Sequence, residues 1–164
     1  MSVTQAILDA LRTIDDPEMP ISIVDLGIVE DTRFDPSTRQ VDIDLLPTFV
    51  GCPALPMLEQ LITEKIGGLD GIDRVNVHFI FDPPWTVDRI TETGRASLKK
   101  IGVTVPSRRD SEPTQDLVQI NPPPTCPFCN ATDVLLTSPF GPTRCRMIYH
   151  CNACKNAFEH IKRV

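Results

Sequence analysis

Near the end of the chain, two Cys-x-x-Cys pairs, CPFC (Cys126, Cys129) and CNAC (Cys151, Cys154), are separated by 21 residues. No other feature constrains the fold as strongly. Two such pairs can place four sulfurs at the corners of a tetrahedron, and the span between them fits a β-hairpin. Residues 133–138 and 145–150 are its expected strands, and residues 157–161 a third. A segment as short as 126–164 cannot bury an adequate apolar core, so a bound metal must supply much of its stability. The expectation is a four-cysteine β ribbon. Thiolate tetrahedra suit zinc, and four cysteines also suit an iron–sulfur cluster, so spacing alone leaves both open. Cys145 is a fifth thiol close by, either a small buried strand residue or an alternative ligand. His150 reads as a strand residue, and His160, close to the terminus, as solvent-exposed.

The rest of the chain has a different character. Residues 1–124 hold 11 Lys/Arg against 20 Asp/Glu, whereas residues 125–164 hold 5 against 2, which together make the net charge of -6. An acidic body argues against general nucleic-acid binding, because phosphate contacts need clustered cations. No apolar run is long enough to span a membrane. The N-terminus, MSVTQAILDALRTIDDPE, has the pattern of an amphipathic helix and not of a signal peptide. Six cysteines without an export signal point to reduced thiols in a cytoplasmic protein, used for metal or chemistry.

Within this body Val3, Ile7, Leu8, Leu11 and Ile14 recur at helical spacing up to Pro17. Gly27 to Phe34 reads as a strand. Val41, Ile43 and Leu45 alternate with Asp42 and Asp44 in a second strand, and the two suggest a hairpin. Leu55, Leu58, Leu61, Ile62 and Ile66 mark a second helix ending at Gly67-Gly68. Val75, Val77, Phe79 and Phe81 give a third strand, on which His78 is expected to face outward. Thr86 is the expected cap of a last helix through Lys100. The order α-β-β-α-β-α defines a small α+β domain over residues 1–105. A proline-rich linker follows over 106–125, and the ribbon over 126–164. No Glu-x-x-His, His-Glu-x-x-His, G-x-G-x-x-G or P-loop pattern occurs, so the usual signatures of an autonomous oxygenase, reductase or ATPase are missing.

One cysteine stands far from the others, in TFVGCPALP. Pro53 reads as the first helical residue, which puts Cys52 at the helix N-cap, facing unsatisfied N–H groups and the positive end of the dipole. Such a position lowers a thiol pKa. Gly51 permits the tight turn, and Thr48 can donate a hydroxyl to the sulfur. Asp16, Glu18 and Asp25 gather around two prolines and Gly27. They serve either as turn and cap residues or as carboxylates lining a cleft with Cys52.

DPEMPISIVDLGIV (16–29) with TFVGCP (48–53) resembles the SufT-like iron–sulfur assembly family. DPPWTVDRITETGRASLKKIGV (82–103), CPFC, SPFGPTRCRMIYHCNAC and AFEHIK extend the likeness over nearly the whole chain to the PaaD family. That family is the fourth subunit encoded with phenylacetyl-CoA 1,2-epoxidase of aerobic phenylacetate degradation. Asn130 stands where the family pattern has Gly. The resemblance implies a non-catalytic accessory or maturation subunit that assists iron–sulfur cluster assembly or insertion into the reductase component. It also implies a functional thiol at Cys52, surrounded by Thr48, Asp16, Glu18 and Asp25. Transient iron or an iron–sulfur cluster would visit Cys52. Cys126, Cys129, Cys151 and Cys154 would hold the ribbon's metal, with Cys145 assisting. The implied partners are the epoxidase components, above all the iron–sulfur reductase subunit, and a homodimer is compatible. The alternative is a structural or docking zinc-ribbon adaptor with no metal-transfer role.

Overall fold

The structure is a computed structural model that describes residues 3–108 and 123–163. Its contacts group the chain into two compact units, residues 1–85 with 89–94, and residues 86–88 with 95–164. Most of the expected 106–125 linker lies outside the described residues. The expected division at 105 and 126 is a proposal about segments that fold alone, and the contacts group the residues differently.

In the first unit, α1 (Val3–Arg12) is followed by two short strands, β1 (Asp15–Asp16) and β2 (Met19–Ser22). The sequence pattern had not suggested this small antiparallel pair. Asp16 makes it: Oδ1 accepts the backbone N–H groups of Glu18 and Met19 at 2.9 and 3.0 Å, closing the turn around Pro17. The main sheet has the order β3-β4-β5, formed by Val29–Asp35, Gln40–Leu45 and Arg74–Phe79. β3 and β4 make the expected antiparallel hairpin, and β4 and β5 run parallel, joined through α2 (Leu55–Gly67). β4 alternates as its sequence does. Val41, Ile43 and Leu45 are buried, and Asp42 and Asp44 occupy the opposite face. There Asp42 gathers Asn76, Gln40 and His78, so its carboxyl is lowered to about 2 by those hydrogen bonds, Asn76 first. Ile7, Leu11, Ile23, Leu26, Ile62 and Ile66 are fully enclosed, supplied by both helices and by the turn after β2.

The last helix, α3 (Glu92–Lys100), starts later than expected. Thr86 does not cap it; a 3₁₀ turn occupies Val87–Arg89. Thr91 takes that role, its Oγ1 accepting the Gly94 N–H at 3.0 Å while donating to Asp25 Oδ1 at 2.6 Å. The Asp25-Leu26-Gly27 segment forms a hub here. The carbonyl of Asp25 accepts the Thr91 N–H at 2.9 Å, and that of Leu26 accepts the indole N–H of Trp85 at 3.1 Å. Gly27 has φ +74, and a Cβ there would lie 2.5 Å from the Arg89 carbonyl oxygen.

In the second unit, the sheet order is β6-β9-β8-β7. β7 (Val134–Ser138), β8 (Arg146–Cys151) and β9 (Ala157–Ile161) match the expected ribbon strands to within a residue. β6 (Val103–Thr104) adds in parallel beside Glu159 and His160 of β9. His160 therefore is not solvent-exposed, as its nearness to the terminus had suggested. It is 5% exposed, sits edge-on to Tyr149 and lies 2.8 Å from Thr104 Oγ1 through Nδ1. Burial first, and then the Arg163 charge, lower its pKa to about 4.

Two outcomes are expected from this packing. Gly27→Ala forces both a positive φ and a backbone clash, and should cost more than about 2 kcal/mol in urea unfolding of the first unit. His160 has a folded pKa below its unfolded value of about 6.5, so the unfolded chain binds the extra proton. Stability from its neutral burial is complete above pH 6.5 and is lost as pH falls toward 4, by about 3 kcal/mol. Subtracting the pH profile of His160→Gln from that of the native chain isolates this contribution. Parallel profiles would contradict it.

Candidate metal centre

Both Cys-x-x-Cys segments fold into the same local turn. In the first, the Asn130 N–H bonds to the Cys126 carbonyl at 2.9 Å, and the Cys126 N–H to the Ala131 carbonyl at 2.9 Å. In the second, Lys155 and Cys151 pair at 3.0 Å, and Cys151 and Asn156 at 2.9 Å, in the equivalent way. Each turn needs a left-handed residue directly after its second cysteine, Asn130 with φ 59 and Lys155 with φ 65. Asn is among the non-glycine residues that tolerate this region, which explains its presence at a position where glycine is expected.

The two turns face each other at one end of the ribbon. Cys126 and Cys154 sulfurs are 3.6 Å apart, those of Cys129 and Cys151 3.5 Å apart, and all four lie within 4.8 Å of one another. Among the described residues, this is the one group of three or more ligand-type side chains close enough to share an ion. Cys126 and Cys151 are fully buried and pack with Phe158, Ala131, Val134 and Tyr149, so the sulfurs belong to the unit's apolar core. The Cys154 N–H reaches the Cys151 sulfur, and the Asn156 side-chain amide reaches that of Cys154, both at 3.5 Å.

Crowding shows in the titration of these thiols. Backbone donation from Asn156 comes first in lowering Cys154 to about 6. At Cys129 the Ala131 N–H favours the thiolate, but burial and the three neighbouring sulfurs outweigh it and raise the thiol to about 12. Four thiolates cannot coexist here without a compensating cation, and the donor set fits a soft or borderline metal. Bound metal would replace the thiol protons with one central charge and tie both turns together.

Cys145 does not join this group. It stands just before β8, whereas Cys151 ends that strand, a separation of about 20 Å at roughly 3.3 Å per residue. Its sulfur instead meets Thr143 Oγ1 at 3.1 Å.

Cys52 lies in the loop between β4 and α2, half-buried, after Gly51 at φ +82 and the exposed Val50. It is not the helix N-cap. The cap is Ala54, and α2 begins at Leu55 with Pro56 in its first turn. The cause is the second proline. A helix begun at Pro53 would require a Pro56 N–H to bond the Cys52 carbonyl, and Pro56 has none. The Cys52 carbonyl instead accepts the Leu55 N–H at 3.3 Å, while the Cys52 N–H donates to Phe49 at 3.2 Å. Thr48 is half-exposed in the same loop. Asp16 and Asp25 have local work in the turn around Pro17 and at Thr91, and Glu18 is half-buried beside them. With Cys52 these carboxylates do not form a group close enough to share an ion within one chain.

Fold and site define a small α+β protein that carries a closed four-thiolate ribbon. Residues 4–79 match the iron–sulfur cluster assembly protein family, and residues 110–162 the PaaD zinc beta ribbon domain. The chain is 32% identical over 156 residues to a protein of Escherichia coli (strain K12) assigned to 1,2-phenylacetyl-CoA epoxidase as one of its subunits, covering 93% of this chain and 88% of that one. It is 29% identical over 97 residues to the Fe-S protein maturation auxiliary factor YitW of Bacillus subtilis (strain 168), covering 59% of this chain and 94% of that one. The fold is also that of a domain of unknown function, DUF59, from Bacillus anthracis. That match has TM-score 0.55 and 23% identity, over 58% of this chain and 91% of that one. The chain belongs to the PaaD family of phenylacetyl-CoA epoxidase subunits.

Stripping the metal with a chelator, or Cys151→Ser, should abolish slow amide exchange in β7, β8 and β9. Protection in β4 and α2 should persist, read by hydrogen-exchange mass spectrometry. Retained protection across the ribbon would show that the metal is dispensable for its fold.

Proposed function

We propose that this chain is a non-catalytic accessory subunit that assists iron–sulfur maturation in a phenylacetyl-CoA epoxidase system, with a resident zinc ion in its ribbon. The observation that carries the reading is the union in one chain of a unit related to an iron–sulfur maturation factor with a ribbon of the PaaD kind. The two parts divide the work. Cys126, Cys129, Cys151 and Cys154 hold the resident ion, and their separations favour a single one. A zinc tetrahedron with sulfurs about 2.3 Å from the metal has edges of about 3.8 Å, close to the spacing of the paired sulfurs. In a multi-iron cluster the cysteines ligate different irons and stand further apart. Zinc supplies a rigid, redox-inert crosslink there, and the ribbon's own residues bury two of its four sulfurs.

The cargo-handling thiol in this reading is Cys52. It stands on a loop held open by Gly51, outside the closed metal site, with Thr48 in the same loop. Iron or an iron–sulfur cluster is its cargo. Among the described residues no group of three or more ligand-type side chains includes Cys52, and in this reading the client, with the reductase component as the expected recipient, or a second copy contributes to the coordination. The protein works in the cytoplasm in this account, and among the described residues no helix is long and apolar enough to cross a membrane.

Metal analysis of anaerobically purified protein should give about one zinc per chain, with no iron in the ribbon. After reconstitution with iron and sulfide, transfer to the apo-reductase should fall about tenfold or more in Cys52→Ala, with zinc content unchanged. Transfer at the native rate in Cys52→Ala would sink the maturation reading and leave the adaptor role.

A further inference from the structure

Among the described residues of the first unit, the exposed large apolar side chains are Val50, Met57, Leu61 and Phe81, at 71%, 57%, 39% and 51% exposure. They are not scattered. Three lie within twelve residues of chain around Cys52, and the fourth follows β5. Single apolar residues are ordinary on a protein surface, whereas a grouping of them marks an interaction site.

The topology explains the grouping. β4 and β5 run parallel with Leu45 opposite Phe79, and the Ile80 N–H bonds to the Leu45 carbonyl at 2.8 Å. The chain therefore leaves both strands at the same end of the sheet. Val50 and the half-buried Cys52 follow β4 there, Phe81 follows β5, and α2 starts from that end at Leu55. Met57 and Leu61 stand one turn apart on a side of α2 that the buried Leu58, Ile62 and Ile66 do not occupy. Pro53, Pro56, Pro83 and Pro84 are exposed in the same segments. Their fixed φ holds this surface in shape before any partner arrives.

Charge selects the partner. Residues 1–85 and 89–94 hold 16 Asp/Glu against 6 Lys/Arg. Within 46–67 and 80–85 the charged residues are Glu59, Glu64 and Asp82 against Lys65, all exposed. A second copy would set this acidic surface against itself, and like charges across an interface cost affinity. A surface with cations around an apolar centre complements both features.

We propose that this face docks a client protein through an apolar segment bordered by Lys or Arg, laid over the loop that carries Cys52. The inference rests on the maturation reading, in which Cys52 handles the cargo, and it assigns the recognition to neighbours of that thiol. Docking here brings the client's own ligand groups to the sulfur.

Isothermal titration of the metal-loaded full chain with the apo-reductase is the test, because it reads binding without cluster transfer. Kd should be about 100 µM or tighter at about 50 mM salt, and about fivefold weaker at about 300 mM. Met57→Ser with Leu61→Ser, exposed changes outside the core, should weaken binding about tenfold or more with metal content unchanged. Glu59→Lys with Glu64→Lys should weaken it about threefold or more at the lower salt. The proposal is overturned by a weaker native Kd, by affinity that does not fall with salt, or by unchanged affinity in Met57→Ser with Leu61→Ser. Dimers of the native chain that those two changes abolish would overturn it in favour of a second copy. Weakened binding in that variant, beside native transfer by Cys52→Ala, would uphold the docking face and remove only the maturation reading.

Discussion

Four sulfurs within 4.8 Å of one another pose an electrostatic problem that organises the whole second unit. As thiols they crowd, and as thiolates they repel, unless one cation sits among them. The surrounding chain is arranged around that condition. Two equivalent turns, each ending in a left-handed residue, aim the sulfurs inward, and backbone and amide N–H groups approach two of them. The buried cysteines replace the aliphatic side chains that so small a sheet cannot supply, with Phe158 as their main apolar partner. β9, paired on one side to β8 and on the other to β6, carries that order to the far edge of the sheet.

The first unit depends on a different device. Asp25, Leu26 and Gly27 receive Thr91, Trp85 and the Arg89 backbone, one after another. The Asp-Leu-Gly motif that marks the iron–sulfur assembly likeness thus has a packing explanation of its own. Asp25 spends its carboxylate on the cap of α3, and Asp16 on the turn between β1 and β2. Cys52 lies on the loop before α2, whose cap is Ala54.

The four-cysteine group and Cys52 lie in different units. The four sulfurs come from two turns, and Cys126 and Cys151 are part of the core, an arrangement that could enclose a metal ion. Cys52 is half-buried in a glycine-turned loop, which suits exchange.

Short-range patterns were legible in the sequence. The alternation of Val41, Ile43 and Leu45 dictated a one-sided strand because side chains in extended backbone alternate faces. The cysteine spacing dictated a ribbon because only folding brings both pairs onto one ion, and Asn130 was readable as a left-handed residue. What escaped depended on partners distant in sequence. Thr91 outcompeted Thr86 as a cap because Asp25 reaches it from 66 positions away. His160 is buried because β6 closes over β9. Cys145 and Cys151 bracket one strand, and extended backbone, not sequence proximity, sets their distance. The start of α2 lay between these cases: the missing N–H of Pro56 is written in the sequence, but outweighing Pro53 required following each carbonyl to its donor. By itself the sequence determined the main hairpin, the ribbon strands and the grouping of four cysteines, because these rest on local geometry and spacing. Tertiary structure alone decided that Asp25 is engaged at the cap of α3 and that His160 is buried, because both depend on which distant groups the folded chain brings together.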